Sequence, residues 1–202
     1  MSTPRPTDRL ATFAIAGSLL LFGSVAAELI HPVQSPDGTT REPILHAIYL
    51  VAFIAGWVLI AAASAGLASS PATGGGSRAV RLGGWLSVGG ALSFALSTAG
   101  VLLGVAFGLY LEVMFMLFLI AFALLISGQA LLATGRSLLP GGIGTAGLLV
   151  IAALGLVLAV STDADPFHDL GLFAFDAAWL GIGLRLRFAR TSAPSTAIPS
   201  LG

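Results

Sequence analysis

The chain contains no cysteine and no lysine. The absence of cysteine excludes disulfide bonds and thiolate metal ligands, and the absence of lysine leaves arginine as the only strongly basic residue. Charged residues make up only 9% of the 202 residues, whereas a soluble domain carries roughly a quarter. Hydrophobic residues make up 56%, and the mean hydropathy is +0.99. This composition predicts an integral membrane protein.

Polar residues divide the sequence into six apolar stretches, each close to the roughly 20 residues that a helix needs to cross a bilayer. We predict transmembrane helices at 10–30, 44–67, 79–104, 109–133, 142–160 and 167–188. Because exposed irregular backbone is not tolerated in lipid, the predicted fold class is all-α, a compact bundle of six transmembrane helices. Residues 10–188 form this transmembrane domain, preceded by a cytoplasmic segment (1–9) and followed by a disordered cytoplasmic tail (189–202).

Two boundaries need comment. Residues 81–136 hold one charged side chain between their terminal arginines, but a single helix of that length would measure about 75 Å, so we predict a hairpin near 108–110. The N-terminus also resembles a signal peptide, since Arg5 and Arg9 precede an apolar run and small residues at 24–27. That run is long enough to span, so we predict a retained helix.

Because lysine is absent, the orientation of the chain in the membrane is predicted from arginine alone. With a cytoplasmic N-terminus, all but one of the arginines lie inside, as the positive-inside rule requires: Arg5, Arg9, Arg78, Arg81, Arg136, Arg185, Arg187 and Arg190. Arg41 lies outside, together with most of the acidic residues. This distribution predicts an N-in/C-in topology. The use of arginine in place of lysine, with abundant alanine, glycine and leucine, indicates a GC-rich bacterial genome and hence a bacterial plasma membrane.

All three histidines fall at the predicted outer boundary, each three or four residues after a carboxylate, a spacing that shares a helix face. Carboxylate and imidazole ligands suit a divalent transition metal, and Glu-x-x-His pairs recur in di-metal helical bundles. Such pairs are also typical of proton sites. The candidate metal ligands are His31, His46, His168, Glu28 and Asp169.

Signals for the starts and ends of helices explain some of these acidic residues. In Glu42-Pro43 and Asp165-Pro166 an acid precedes a proline, the arrangement of an N-cap followed by the first helical residue. Pro32 similarly marks a helix end. These acids therefore have an interpretation that involves no ligand.

Asp176 is not explained by capping. It lies near the middle of the sixth span, where a carboxylate costs roughly 2.5 to 3.5 kcal/mol and normally marks a polar interior or a functional site. Asp169 lies seven residues earlier, on nearly the same helix face. We predict a proton or ion pathway through Asp176 and Glu112, with a hydrogen-bonded packing role for Asp176 as the alternative.

Three functions remain open. The first is binding or conduction of a cation or proton; the second is an accessory subunit of a membrane complex; the third is a metal-dependent membrane hydrolase using the three histidines. The sequence has no His-Glu-x-x-His or Gly-x-Ser-x-Gly motif, so enzyme function is less favoured. The predicted partner is the lipid bilayer, not nucleic acid. Gly100, Gly104 and Gly108 share a face that favours helix packing within the bundle or with another copy or subunit.

Overall fold

The computed structural model describes residues 6–31, 42–69, 77–107, 111–134, 144–161 and 165–188. These residues form α1 (Pro6–Ile30), α2 (Pro43–Ser69), α3 (Arg78–Phe107), α4 (Leu111–Thr134), α5 (Thr145–Ser161) and α6 (Asp165–Phe188). One helix corresponds to each predicted span, so the all-α prediction with six helices is confirmed. The predicted hairpin at 108–110 and the tail at 189–202 lie outside the described residues.

Four helices contain stretches long and apolar enough to cross a membrane. These stretches are Thr7–Ile30, Pro43–Ser69, Arg78–Gly100 and Met116–Thr134. Helix α5 is also apolar but has only 17 residues, fewer than the roughly 20 that a perpendicular span needs. The four long helices are compatible with a membrane protein.

The helices begin and end close to the points predicted from the prolines and the acids that precede them. Helix α2 begins at Pro43, and the Glu42 carbonyl accepts the His46 N–H at 2.9 Å, as an N-cap carbonyl does. Helix α1 ends at Ile30, two residues before Pro32. Helix α6 begins at Asp165 itself, two residues before the predicted start at 167, a difference within the usual uncertainty of helix ends.

The six helices form a closed ring in chain order. Each helix packs against its neighbours in sequence, and α6 packs against α1. Successive helices are antiparallel: Gly66 near the end of α2 lies against Leu10 near the start of α1, and Gly17 lies against Gly56 midway. The described arginines therefore gather at one end of the bundle, the arginine end: Arg9, Arg78, Arg81, Arg185 and Arg187.

The opposite end, the acidic end, carries most of the described ionisable residues that are not arginine. They are Glu28, His31, Glu42, His46, His168 and Asp169. Asp8 lies at the arginine end, and Asp176 lies inside the bundle. Charge is therefore separated along the bundle axis, as the sequence pattern predicts.

Aromatic side chains fill the centre of the ring below the acidic end. The Trp57 ring stacks on Phe94 with centroids 4.5 Å apart and contacts Phe175 at 5.2 Å. Phe94 meets Phe122 edge to face at 4.9 Å, and Phe175 contacts Trp179 at 6.4 Å. We call these five residues the aromatic core. They join α2, α3, α4 and α6 across the ring and are all nearly inaccessible.

Helices α5 and α6 approach so closely that their backbones touch. A Cβ atom added to Gly155 would lie 2.6 Å from the Gly171 carbonyl oxygen and 3.0 Å from the Phe175 nitrogen. A Cβ atom on Gly171 would in turn overlap the Gly155 carbonyl oxygen. Glycine on both helices permits this approach, as in small-residue contacts between membrane helices.

Candidate functional site

A cavity of about 520 Å³ opens within the acidic end of the bundle. Helices α1, α2, α3, α4 and α6 all contribute side chains to its wall. We call it the end cavity. Its volume falls within the range of roughly 300 to 1,000 Å³ that is typical of small-molecule sites.

Three ionisable side chains from three helices line the end cavity. They are Glu28 of α1, His46 of α2 and Asp169 of α6, and all three are partly buried. Each belongs to the residues that the sequence predicts as metal ligands. The structure adds that the three line one open cavity. No arginine is among the described residues that line this cavity, so its charged wall is acidic apart from the imidazole.

Hydroxyl groups add hydrogen-bond acceptors to the wall. Ser24 donates its hydroxyl proton to the Leu21 carbonyl at 2.8 Å, and Thr98 donates to the Phe94 carbonyl at 2.9 Å. A hydroxyl group whose single proton is already donated offers only lone pairs to other partners. Ser24 and Thr98 therefore resemble the carboxylates in presenting acceptors to the cavity that they line.

The inner part of the end cavity is apolar and continues into the aromatic core. Phe53 and Phe118 line the cavity. The Phe53 ring meets Trp57 at 5.9 Å, and the Phe118 ring meets Phe94 at 4.6 Å, both edge to face. Leu172, one turn inward from Asp169 on α6, also lines the cavity. The cavity therefore has an acidic outer part and an aromatic floor.

The other two predicted ligand histidines have different partners. His31 Nε2 lies 3.0 Å from Glu42 Oε1, joining the end of α1 to the start of α2, with both side chains at least half exposed. The His168 ring bonds through Nδ1 to the Ala159 carbonyl at 2.7 Å. This carbonyl lies in the last turn of α5, where helical acceptors have no intrahelical donor. His31 and His168 thus connect helix ends.

The predicted metal residues do not fit a single metal centre. Among the residues that the structure describes, no three His, Cys, Asp or Glu side chains are grouped so that they could hold a metal ion. The five predicted ligands are divided between the end cavity and the two helix-end contacts. Binding of a divalent transition metal by this set stays a prediction that the geometry does not support.

Asp176 is buried, with 3% of its surface exposed. Its Oδ2 has no hydrogen-bond partner among the described residues, and the same is true of the indole nitrogens of Trp57 and Trp179. Asp176 follows Phe175 of the aromatic core directly and lies about 10 Å along α6 from Asp169 at 1.5 Å per residue. It is therefore placed beneath the end cavity, and its role in an ion pathway stays a prediction.

The expected neighbours of Asp176 are only partly described. Glu112 lies in the first turn of α4, but its side chain is outside the described set. Gln129, also on α4, is a second polar residue that the sequence places in this helix, and it donates to Ser87 Oγ of α3 at 3.2 Å. Of the predicted glycine face, Gly100 is half-buried in α3 and Gly104 lies in the same helix. Gly108 is outside the described residues, so contact through this face with another copy or subunit stays a prediction.

Sequence reasoning missed the uncharged half of the end cavity. Ser24, Tyr49, Phe53, Thr98 and Phe118 occur inside apolar spans, and their residue types occur on every face of such helices. The spacing gives a weak indication that two of them share a helix face with the ionisable residues, because Ser24 precedes Glu28 by one turn and Tyr49 follows His46 by three residues. The sequence alone does not show which helices face each other.

His168, in the first turn of α6, gives a stability prediction. His168→Ala is expected to lower the free energy of unfolding by about 1 kcal/mol, because it removes the donor to the partly buried Ala159 carbonyl. His31→Ala removes an exposed contact with the Glu42 carboxylate and is expected to cost less, roughly 0.2 to 1 kcal/mol. Titration with dodecyl sulfate, followed by circular dichroism, measures both. A larger effect for His31→Ala would contradict the assignment.

Comparison with known protein families, with curated proteins and with solved structures finds no match for this chain.

Proposed function

We propose that this chain is a multi-pass protein of a bacterial plasma membrane, with both termini cytoplasmic, and that it binds a cation in the end cavity. Four long apolar helices support the location. The described arginines at one end of the bundle support the orientation through the positive-inside rule. In this orientation the end cavity opens to the exoplasmic side.

One observation carries the binding proposal: Glu28 and Asp169, from the first and last helices, line the same cavity. Both carboxylates are partly withdrawn from water, and at reduced effective dielectric a cation between them gains more Coulomb energy than it would in bulk solvent. No arginine among the described lining residues neutralises them. The local charge is therefore suited to a positively charged ligand.

The aromatic core favours binding over free conduction. Directly inward of the cavity, Trp57, Phe94 and Phe175 are in ring contact and have 0 to 1% of their surface exposed. A hydrated ion passing along the bundle axis would have to separate these rings. A hydrolase is less well supported, because the described residues provide no three-ligand metal group.

Neutralising the two cavity carboxylates tests the proposal. Glu28→Gln and Asp169→Asn are each expected to weaken cation binding about tenfold or more, since a hydrogen bond to a charged group contributes roughly 1.5 to 3 kcal/mol. Binding is measured by isothermal titration calorimetry on protein in lipid nanodiscs, using sodium, zinc and 2-phenylethylammonium chlorides.

Glu42→Gln is the matched control, because Glu42 is an acid at the same end of the bundle but does not line the cavity. We expect its affinity to equal that of the wild type. Equal losses in all three variants would indicate a general effect of surface charge and would contradict a site in the cavity. So would unchanged binding in both cavity variants.

A further inference from the structure

We infer that the cation bound in the end cavity is a small organic ammonium ion with an apolar body, and not a bare metal ion. This inference rests on the proposed function and specifies its ligand class. The cavity has two chemically different parts, and a single ligand of this class is complementary to both.

The size of the cavity is the first argument against a bare metal ion. Metal ions are held by several ligands at about 2.0 to 2.6 Å, which requires the donor atoms to converge on one point. In the end cavity Glu28, His46 and Asp169 surround about 520 Å³, and they are not grouped closely enough to count among metal-ligand sets of the described residues. Carboxylates held apart around a large space fit a molecular cation better than a single ion.

The outer part of the cavity is suited to an ammonium group. Glu28 lies two residues before the end of α1, and Asp169 lies four residues after the start of α6, so both lie in the outer part of the cavity, toward the helix ends. Ionised carboxylates only accept hydrogen bonds, and the Ser24 hydroxyl presents acceptor lone pairs because its proton is donated to Leu21. A primary ammonium group has three N–H donors and no acceptor, which matches this set.

The inner part of the cavity is suited to an apolar or aromatic body. Phe53 lies about two turns inward from His46 on α2, and Phe118 and Leu172 add apolar side chains from α4 and α6; Val25, Leu29 and Leu50 also line the cavity. Both phenylalanine rings are fixed by edge-to-face contacts with the aromatic core. Such a surface favours hydrocarbon and ring contacts, and Tyr49, between the two parts, adds a third aromatic side chain to the lining.

The order of these parts fixes the ligand's orientation. The charged residues stand toward the helix ends and the phenylalanine rings toward the core. The ammonium group of the ligand therefore lies in the outer part of the cavity, beside the carboxylates, and its apolar body points toward Trp57 and Phe94.

A comparison of three kinds of probe tests the inference with the wild-type protein in nanodiscs at pH 7. The first is 2-phenylethylammonium, which has a positive charge and a phenyl ring. The second is 2-phenylethanol, which has the same apolar body without the charge, and the third is a metal ion, sodium or zinc, which has a charge without an apolar body. We expect saturable binding of 2-phenylethylammonium, at least tenfold weaker binding of 2-phenylethanol, and no saturable binding of either metal ion.

Two variants assign the effects to the two parts of the cavity. Asp169→Asn is expected to weaken 2-phenylethylammonium binding about tenfold without changing 2-phenylethanol binding. Phe53→Leu is expected to weaken both ligands to a similar extent. Circular dichroism of each variant verifies the fold, and the wild-type comparison between the charged and neutral ligands decides the question even where a variant does not fold.

The outcomes separate the two proposals. Saturable binding of sodium or zinc that Glu28→Gln abolishes, with no binding of 2-phenylethylammonium, would overturn the ligand class and leave cation binding in the cavity intact. Equal affinity for 2-phenylethylammonium and 2-phenylethanol would overturn the ammonium requirement. An absence of binding for all cations would overturn both proposals.

Discussion

Trp57→Ala is expected to lower the free energy of unfolding by about 3 to 5 kcal/mol, the range observed for large aromatic truncations in protein cores. Trp57 is 1% exposed and contacts Phe53, Phe94 and Phe175 on three helices. A void at the centre of the ring removes van der Waals contacts that the neighbouring side chains cannot restore without moving. Dodecyl sulfate titration followed by helical circular dichroism measures the loss.

Trp85→Ala is the matched control, because it makes the same truncation at a side chain that is 69% exposed on α3. We expect a change within about 0.5 kcal/mol, as for ordinary surface substitutions. A comparable loss from both variants would show that the aromatic core is not the source of the stability.

Trp57→Ala should also enlarge the floor of the end cavity, so its ligand affinity is best measured in parallel.

Gly155→Ala is expected to destabilise the bundle by about 1 to 3 kcal/mol, as overpacking of a close contact does. The added methyl group would lie 2.6 Å from the Gly171 carbonyl oxygen. That oxygen belongs to the backbone and cannot rotate away, so relief requires α5 and α6 to separate. The separation would shift α6, which carries Asp169 at the end cavity, and ligand affinity should fall together with stability.

Gly23→Ala is the matched control, and we expect it to change the free energy of unfolding in the opposite direction. A Cβ atom at Gly23 meets nothing within 4 Å, and alanine is more favourable than glycine in a helix interior by up to about 1 kcal/mol. We expect slight stabilisation, measured by the same titration. Destabilisation by both substitutions would point to a general intolerance of alanine at helical glycines and would contradict the specific backbone contact between α5 and α6.

The positions of residues along the bundle axis could be predicted from the sequence. Polar residues interrupt the apolar runs at each helix end, so Glu28, His46 and Asp169 were assigned to one level, and the helices begin and end close to the predicted points. Asp176 was expected to lie deep in the sixth helix, and it is buried. Each inference depends only on distance along a helix from a polar boundary.

The positions of residues around each helix could not be predicted. Apolar residues cover most faces of these helices, so the hydrophobic pattern does not distinguish the face toward lipid from the face toward the bundle. This is why the sequence grouped His31 and His168 with His46, although the structure gives them helix-end partners. It is also why Tyr49 and Phe53, in the middle of an apolar run, could not be assigned to a cavity.

The contact between α6 and α1 sets the order in which the molecule can be completed during synthesis. The other five extensive interfaces of the described helices join neighbours in sequence, so each hairpin can form soon after its second helix emerges, with little loop entropy to overcome. The end cavity takes Glu28 from the first helix and Asp169 from the last. On the proposed function, a nascent chain could not bind its ligand until the sixth helix had joined the bundle. Ligand binding would then stabilise only finished molecules.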